Sequence, residues 1–307
     1  RDAAEWAEAK PGERFFYLNE GYVLLGRIVE KASGKSYDEY VRQEILEPLG
    51  MTRSYFNKEE VEKDGDLATP YVLTPEGTLA PSRFPWGIKA DGGLISNVHD
   101  LARYIMMYLN RGSLDGAEIV SPSSIEEMTR QRIAVPWRAF GDEAYGYGWT
   151  ITRRFHGEKL VAHGGSVLVY TAWVGFLPER GAGVAVLANG SGYPLSYVGM
   201  YALSLLLGKD PHQLLQLRLD ELLDKLTGTY KAYKDTIKAE VYRRGDALYI
   251  EMGGKYTKRS APLTYERSED NVHIFTTPSG GTKLEVEFRE EKDKTILLYE
   301  RYKLVKD

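Results

Sequence analysis

One stretch, Glu13 to Ser36, constrains this chain more than any other. After an aromatic run it becomes amphipathic, with apolar residues at a helical period: Tyr22, Leu25, Ile28, Val29 and Ala32. Gly34 is placed to end this helix in the left-handed conformation that glycine adopts at low cost. Tyr17 and Asn19 therefore lie where a loop meets a helix start, a rigid position suited to catalytic side chains. The alternative interpretation is an ordinary amphipathic helix with a polar residue at its first turn.

The composition excludes several classes of function. The 307 residues carry a net charge of −4 and no run of Lys or Arg, so no nucleic-acid partner is expected. Cysteine is absent, which excludes disulfides and thiolate metal sites, and the histidines lack metal-ligand spacing. We therefore expect no metal and no cofactor. No apolar run reaches the ~18 residues that cross a membrane, and the cellular compartment, cytoplasmic or exported, stays open.

The first 209 residues predict an α+β domain. Helical patterns come first, and after Trp149 the periodicity becomes that of strands. Two hairpins are expected, with turns at His156-Gly157 and at Pro178 to Gly181. A long apolar helix, Tyr193 to Leu207, follows these strands. This order predicts a helical subdomain combined with an antiparallel sheet.

The remaining residues predict a separate all-β domain. Asp210-Pro211 begins a helix that we interpret as a connector, and short strands recur about every 10 residues from Thr227 onward. That spacing is typical of a meander or a small barrel. The expected organisation is therefore a domain over 1–209, a connector over 210–226 and a β domain over 227–307. Such a barrel can hold one ligand, but its short, charged strands favour a structural or assembly role.

A second informative stretch is Val161 to Ser166, whose sequence is Val-Ala-His-Gly-Gly-Ser. Paired glycines in a strand let a ligand or another backbone approach closely. They also leave backbone N–H groups free to bind an anion, as an oxyanion hole requires. His163 is the one histidine in such a setting, and the alternative interpretation is a hydrogen-bonded core imidazole.

Together these stretches resemble the serine β-lactamase-like and penicillin-binding superfamily. The branch is that of class C β-lactamases, D-alanyl-D-alanine carboxypeptidases, related esterases and CubicO-type peptidases. The matching residues run in the family's order: Pro11, Gly12, Phe16, Tyr17, Asn19, Gly21, Tyr22, Gly26, Ile28, Glu30, Ser33 and Gly34, then Glu47 to Met51, Gly92 to Leu94, Asp100 to Ala102, Tyr147 to Trp149, His163 to Gly165 and Leu187 to Asn189. The C-terminal strands resemble the lipocalin-like barrel that some CubicO-type members carry. The resemblance implies the β-lactamase/transpeptidase-like fold.

The resemblance also implies an acyl-enzyme mechanism. A serine attacks an amide or ester carbonyl, and a lysine one helical turn later shares its proton. Tyr17 would be the general base and acid, and Asn19 would bind the acyl-side amide of the substrate. A phenol can serve as a base near neutral pH only when nearby cations lower its pKa.

The same resemblance implies roles for the second stretch. His163 stands where many relatives have the lysine of Lys-Thr-Gly. A neutral imidazole grips a carboxylate less strongly than an ammonium does, which favours peptide, amide or ester hydrolysis over carboxypeptidase or β-lactamase activity. Gly164, Gly165 and Ser166 would form the oxyanion and substrate-binding strand, with the Ser166 N–H as one oxyanion donor.

The sequence departs from the family in one respect. No serine in residues 1–307 is followed by lysine three positions later. We therefore expect the nucleophilic serine and its lysine on a preceding segment of the same protein, and this chain alone to be inactive. The leading hypothesis is a homo-oligomeric serine hydrolase of peptides, especially peptides with D-residues. Sparse Asn and Gln with abundant Lys and Glu favour a heat-adapted source. The alternatives are a catalytically inactive relative that binds peptide or cell-wall fragments, and an esterase or β-lactamase-type hydrolase.

Overall fold

The computed structural model describes residues 9–74, 76–137, 140, 142–254 and 257–307. They form two compact units, which divide between Leu214 and Leu215. The helix that the sequence predicts as a connector begins at Leu215 and belongs to the second unit. Each unit has its own hydrophobic core.

Several α-helices of the first unit begin or end at capping residues that can be read in the sequence. In the described residues they are α1 (Asn19–Ser33), α2 (Tyr37–Val41), α3 (Lys58–Asp64), α4 (Val98–Leu109), α5 (Pro122–Met128) and α6 (Leu195–Leu206). Gly34 ends α1 with a φ of 72°, as predicted. The Asn97 side chain accepts hydrogen bonds from the first turn of α4, and the Ser121 side chain does the same for α5. Among the described residues, no helix is long and apolar enough to cross a membrane.

The strands of the first unit form one large sheet and two short hairpins. The hairpins are β1 (Tyr71–Leu73) with β2 (Leu79–Pro81) and β3 (Ser113–Leu114) with β4 (Ala117–Glu118). The sheet contains β5 (Ile133–Ala134), β6 (Ala144–Tyr145), β7 (Thr150–Phe155), β8 (Glu158–Ser166), β9 (Thr171–Leu177) and β10 (Ala182–Ala188). All its neighbours are antiparallel, in the order β10-β9-β8-β7-β6-β5. The predicted α+β class with an antiparallel sheet is confirmed, and so are both predicted hairpins.

The core of the first unit is aromatic where helix α4 meets the sheet. The ring of Tyr108 lies 5.1 Å from that of Trp149 and 5.3 Å from that of Phe176. The buried carboxylate of Asp100 accepts hydrogen bonds at 2.8 Å from the Arg53 N–H and the Ser54 hydroxyl. This bond network attaches the segment after α2 to the first turn of α4. The stretch 51–90 contains α3 and the β1–β2 hairpin.

The second unit is a filled barrel with one helix. Helix α7 (Leu215–Leu226) precedes the strands β11 (Gly228–Ala232), β12 (Ile237–Arg244), β13 (Ala247–Gly254), β14 (Thr257–Glu269), β15 (Val272–Ser279), β16 (Thr282–Glu291), β17 (Lys294–Tyr299) and β18 (Tyr302–Lys306). Pairing of β11 with both β12 and β18 closes the barrel. Phe275, Phe288 and Leu304 are completely buried in its core, and Leu223 and Leu226 of α7 belong to the same cluster. These side chains fill the interior and favour a structural role over ligand transport.

A buried hydrogen bond couples the end of α7 to the barrel. The completely buried Tyr230 donates its hydroxyl to the Leu226 carbonyl at 2.8 Å, and this carbonyl is left over at the helix C-terminus. We expect Tyr230→Phe to lower the free energy of unfolding of the barrel unit by about 1 kcal/mol, because the carbonyl stays buried without its donor. Denaturant unfolding followed by circular dichroism measures this. Tyr233→Phe, at an exposed tyrosine, is the control and should leave stability unchanged. Equal stability of both variants would contradict the assignment.

Candidate active site

The structure places Tyr17 and Asn19 at a junction of loop and helix, as predicted. Tyr17 lies in the loop before α1, Leu18 occupies the N-cap position, and Asn19 is the first helical residue. Both Tyr17 and Asn19 are exposed, and Tyr17 keeps 55% of its surface accessible. The start of α1 fixes the backbone at Asn19 and close to Tyr17, while solvent and ligands can still reach both side chains.

Strand β8 is paired along both edges only at Val161 and Ala162. It pairs with β9 as far as Ser166, but its pairing with β7 ends at Ala162. In the described residues, the segment from His163 to Ser166 therefore has one edge without a strand partner. An edge of this kind offers backbone donors and acceptors to an extended ligand.

The hydrogen-bond pattern of the β8–β9 ladder fixes which backbone N–H groups face this open edge. The Val167 N–H donates to the Tyr170 carbonyl at 3.0 Å, so this N–H points toward β9. Successive N–H groups along an antiparallel strand point alternately toward and away from the neighbour. The N–H groups of Ser166 and Gly164 therefore point away from β9, into the open edge. This orientation is the one that an oxyanion donor at Ser166 requires.

The imidazole of His163 lies next to Tyr17, so two of the candidate residues come together. Their ring centroids are 6.2 Å apart. The Nε2 atom of His163 lies 2.7 Å from the Tyr145 hydroxyl, and its Nδ1 atom lies 2.6 Å from the Gly164 carbonyl oxygen. Burial lowers the pKa of His163, so the ring is neutral at pH 7.

Sequence reasoning missed a second tyrosine in this cluster. Tyr145, on β6, is buried and contacts the rings of Tyr17, His163 and Phe15 at centroid distances of 6.4, 5.9 and 5.3 Å. The sequence offers a weak signal, since Tyr145 opens the run Tyr-Gly-Tyr-Gly-Trp. Nothing in that run shows which of its tyrosines faces His163, because the turn at Gly148 (φ 78°) breaks the strand alternation.

The phenols in the cluster are protonated in this structure. Burial, and then the neighbouring Tyr22, raise the pKa of Tyr17. Burial and the phenols of Tyr22 and Tyr17 raise the pKa of Tyr145 still further. Tyr17 is therefore a neutral proton donor here, and its use as a general base requires a cation close to it.

A cavity of about 520 Å³ adjoins the open edge of β8, with Gly165 and Ser166 in its wall. Arg53 also lines this cavity, but it is engaged by Asp64 and Asp66 at 2.6 and 2.8 Å. A hydrogen bond from Arg53 holds the pKa of Asp64 well below its usual range. One guanidinium thus faces two carboxylates in the wall, so the cavity offers space next to the strand with one uncompensated negative charge.

Comparison with known proteins identifies the class to which this fold and site belong. A family model described as Beta-lactamase matches residues 2–208, and one described as Pab87 octamerisation domain matches residues 211–305. The chain belongs to the beta-lactamase family. The predicted membership of the β-lactamase-like and penicillin-binding superfamily is confirmed.

Individual relatives agree with this family. The solved structure of the octameric penicillin-binding protein homologue from Pyrococcus abyssi is 53% identical, with a TM-score of 0.92 over all of this chain and 68% of that chain. Protein flp of Staphylococcus aureus is 28% identical over 59% of this chain and 34% of flp. The unguisins hydrolase of Aspergillus campestris is 25% identical over 74% of this chain and 41% of the hydrolase. The chain thus spans between a third and about two fifths of the length of these two curated relatives.

The glycines of β8 can be tested separately from the fold. A Cβ added at Gly165 would meet only the Cβ of Ala172 at 3.7 Å, an ordinary contact. We expect Gly165→Ala to change the free energy of unfolding by no more than about 0.5 kcal/mol, while its methyl group narrows the cleft and lowers ligand binding. Gly175→Ala on β9 is the control. Its Cβ would lie 2.1 Å from the buried Trp173 ring, so it should destabilise the chain by at least about 1–3 kcal/mol. Thermal melts of both variants measure these changes in stability. A strongly destabilised Gly165→Ala would show that Gly165 is needed for folding and not for ligand binding.

Proposed function

We propose that this chain forms most of the active site of a serine hydrolase that cleaves peptides, especially peptides with D-residues, through an acyl-enzyme. The observation that carries the proposal is the meeting of Tyr17 and His163 beside the open edge of β8. The family supports hydrolysis as the reaction class. The unguisins hydrolase of Aspergillus campestris, which is 25% identical to this chain, supports the same reaction class.

In this proposal the substrate lies along the open edge of β8 as an added strand. The edge then supplies main-chain hydrogen bonds, and the cavity next to Ser166 receives a substrate side chain. The Ser166 N–H, which points into the edge, stabilises the negative oxygen of the tetrahedral intermediate. Asn19 holds the acyl-side amide, and Tyr17 moves the proton between the nucleophile and the leaving group.

The nucleophile and its lysine belong, in this proposal, to a preceding segment of the same protein. The absence of any Ser-x-x-Lys among residues 1–307 supports this division. The state of Tyr17 supports it as well. Its raised pKa leaves it a neutral phenol, and an ammonium brought close by the segment would favour the phenolate that a base needs.

The surface of α1 offers a place for such a segment to pack. Four apolar side chains there are more than half exposed: Leu18, Leu24, Leu25 and Ile28. A contiguous apolar surface of this kind is typical of an interaction site. A helix that packs on this surface would lie next to Tyr17, because Tyr17 directly precedes Leu18. The nucleophile has to be beside Tyr17 in the proposed mechanism.

The second unit serves, in this proposal, in assembly. The match of residues 211–305 to an octamerisation domain and the octameric homologue from Pyrococcus abyssi support a homo-oligomer. The core of the barrel supports an assembly role over ligand transport, since large buried side chains such as Phe275 and Phe288 pack together in it.

The role of Tyr17 can be measured directly. In the protein joined to its nucleophile segment, Tyr17→Phe should lower kcat/KM for a peptide substrate by about 10²- to 10⁴-fold, because the proton-transfer group is lost. The melting temperature should stay the same, since the hydroxyl is half exposed. Tyr201→Phe, at a comparably exposed tyrosine on α6, is the control and should keep full activity. Turnover of Tyr17→Phe at the parental rate would remove Tyr17 from the mechanism.

The division of labour is tested with a serine-directed probe. Residues 1–307 alone should not be acylated by a fluorophosphonate, because no serine in them is followed by lysine three positions later. Co-expression with the preceding segment should produce labelling of a serine on that segment, found by mass spectrometry of the peptides. Strong labelling of a serine within residues 1–307 would refute the division. A preceding segment without Ser-x-x-Lys, and a complex without label, would favour the inactive binding relative.

A further inference from the structure

Tyr145 lies against the ring of His163, at hydrogen-bonding distance from one of its nitrogens. The Tyr145 side chain is 9% exposed, and its hydroxyl oxygen lies 2.7 Å from Nε2 of His163. On the other side of the ring, Nδ1 lies 2.6 Å from the carbonyl oxygen of Gly164. Both nitrogens are therefore at hydrogen-bonding distance from protein atoms.

The positions of the protons follow from the chemistry of the partners. A carbonyl oxygen can only accept, so Nδ1 of His163 carries a proton and donates it to Gly164. A neutral imidazole has one N–H, so Nε2 is bare and must accept. The hydrogen between Nε2 and Tyr145 is therefore the phenolic one, and Tyr145 is the donor.

With the protons placed in this way, His163 has no free N–H to donate to a substrate. Among the described residues, the titratable groups around the ring are the phenols of Tyr17 and Tyr145, with Tyr22 next to both. Burial is the first cause of the lowered pKa of His163, and no described carboxylate opposes it. The ring therefore stays neutral over the physiological range.

We propose that Tyr145 is a specificity-determining positioning residue, which locks His163 as a neutral, Nδ1-protonated ring so that strand β8 presents no cation to the substrate. The proposal rests on the function proposed above and names its substrate class. The site takes peptides whose chain continues past the cleaved bond, or ends there as an amide or ester. A free carboxylate at this position finds no ammonium or imidazolium, and it loses its hydration without compensation.

The variant Tyr145→Phe removes the donor and keeps the ring. Loss of one hydrogen bond to the neutral form should raise the pKa of His163 by roughly one unit, a tenfold rise in proton affinity. We expect the ¹⁵N shifts of the parent to show a protonated Nδ1 and a bare Nε2, and the variant to titrate at higher pH. His163→Gln assigns the signal among the five histidines. Tyr147→Phe, at an exposed tyrosine two residues away, is the matched control and should titrate like the parent.

Specificity gives the second readout, in the protein joined to its nucleophile segment. For a peptide with a free C-terminal carboxylate and the same peptide as its amide, the ratio of kcat/KM values should favour the amide in the parent at pH 7, where the ring is neutral. In Tyr145→Phe the ratio should rise roughly tenfold toward the carboxylate as the pH falls through the raised pKa of His163, because the imidazolium then forms, and this rise should begin at a higher pH than in the parent.

The outcomes separate the two proposals. A parent ring with the proton on Nε2, or a Tyr145→Phe variant that titrates like the parent, overturns the role of Tyr145. A flat specificity ratio in a variant whose pKa has risen also overturns it, since the locked ring would then not govern substrate choice. Absence of any peptide turnover contradicts the proposed function alone, because the ¹⁵N measurement needs no activity and still decides the assignment of Tyr145.

Discussion

Strand β8 is paired along both edges at Val161 and Ala162 and along one edge from His163 to Ser166. The candidate site depends on this change. The ladder to β9 fixes the backbone, so the N–H groups on the other edge keep their positions without a strand partner. Backbone donors cannot be buried unpaired without a cost comparable to a lost hydrogen bond. An edge that is both rigid and unpaired therefore remains exposed to solvent or binds an extended ligand, and here Tyr17 and His163 flank it.

Local signals made much of the first unit predictable. Gly34 ends α1 through its own backbone conformation, so this helix end follows from the sequence alone. The β1–β2 hairpin was not predicted, because its strands have three residues each and no clear alternation. The pairing of Tyr145 with His163 joins residues 18 positions apart on strands that are not adjacent, since β7 lies between β6 and β8. Only the sheet order brings them together, and periodicity carries no information about it.

For the barrel, the sequence predicts the strands but not how their side chains fill the interior. Strand spacing predicts that a barrel or meander follows residue 227, and the closed barrel agrees with this prediction. Whether a barrel of eight strands is hollow depends on the volume of its inward side chains. Here large rings, Tyr230, Phe275 and Phe288, meet at centroid distances of 5.4 to 5.8 Å in the centre. Their inward direction is a matter of register, which the sequence leaves open and the pairing of β15 with β16 fixes.

The phenols around His163 also constrain the order of events in the proposed reaction. Burial raises the pKa of Tyr17 and of Tyr145, and the neighbouring phenol of Tyr22 adds to both rises. Tyr17 also raises the pKa of Tyr145, so ionising Tyr17 makes ionising Tyr145 harder. Tyr145 is buried and bonded to Nε2, whereas Tyr17 is half exposed and its pKa is raised less. A lysine ammonium brought beside the cluster therefore ionises Tyr17 first, while Tyr145 keeps its proton and His163 stays neutral. The burial and the hydrogen bond that keep Tyr145 protonated and His163 neutral thus leave Tyr17 as the group that transfers the proton.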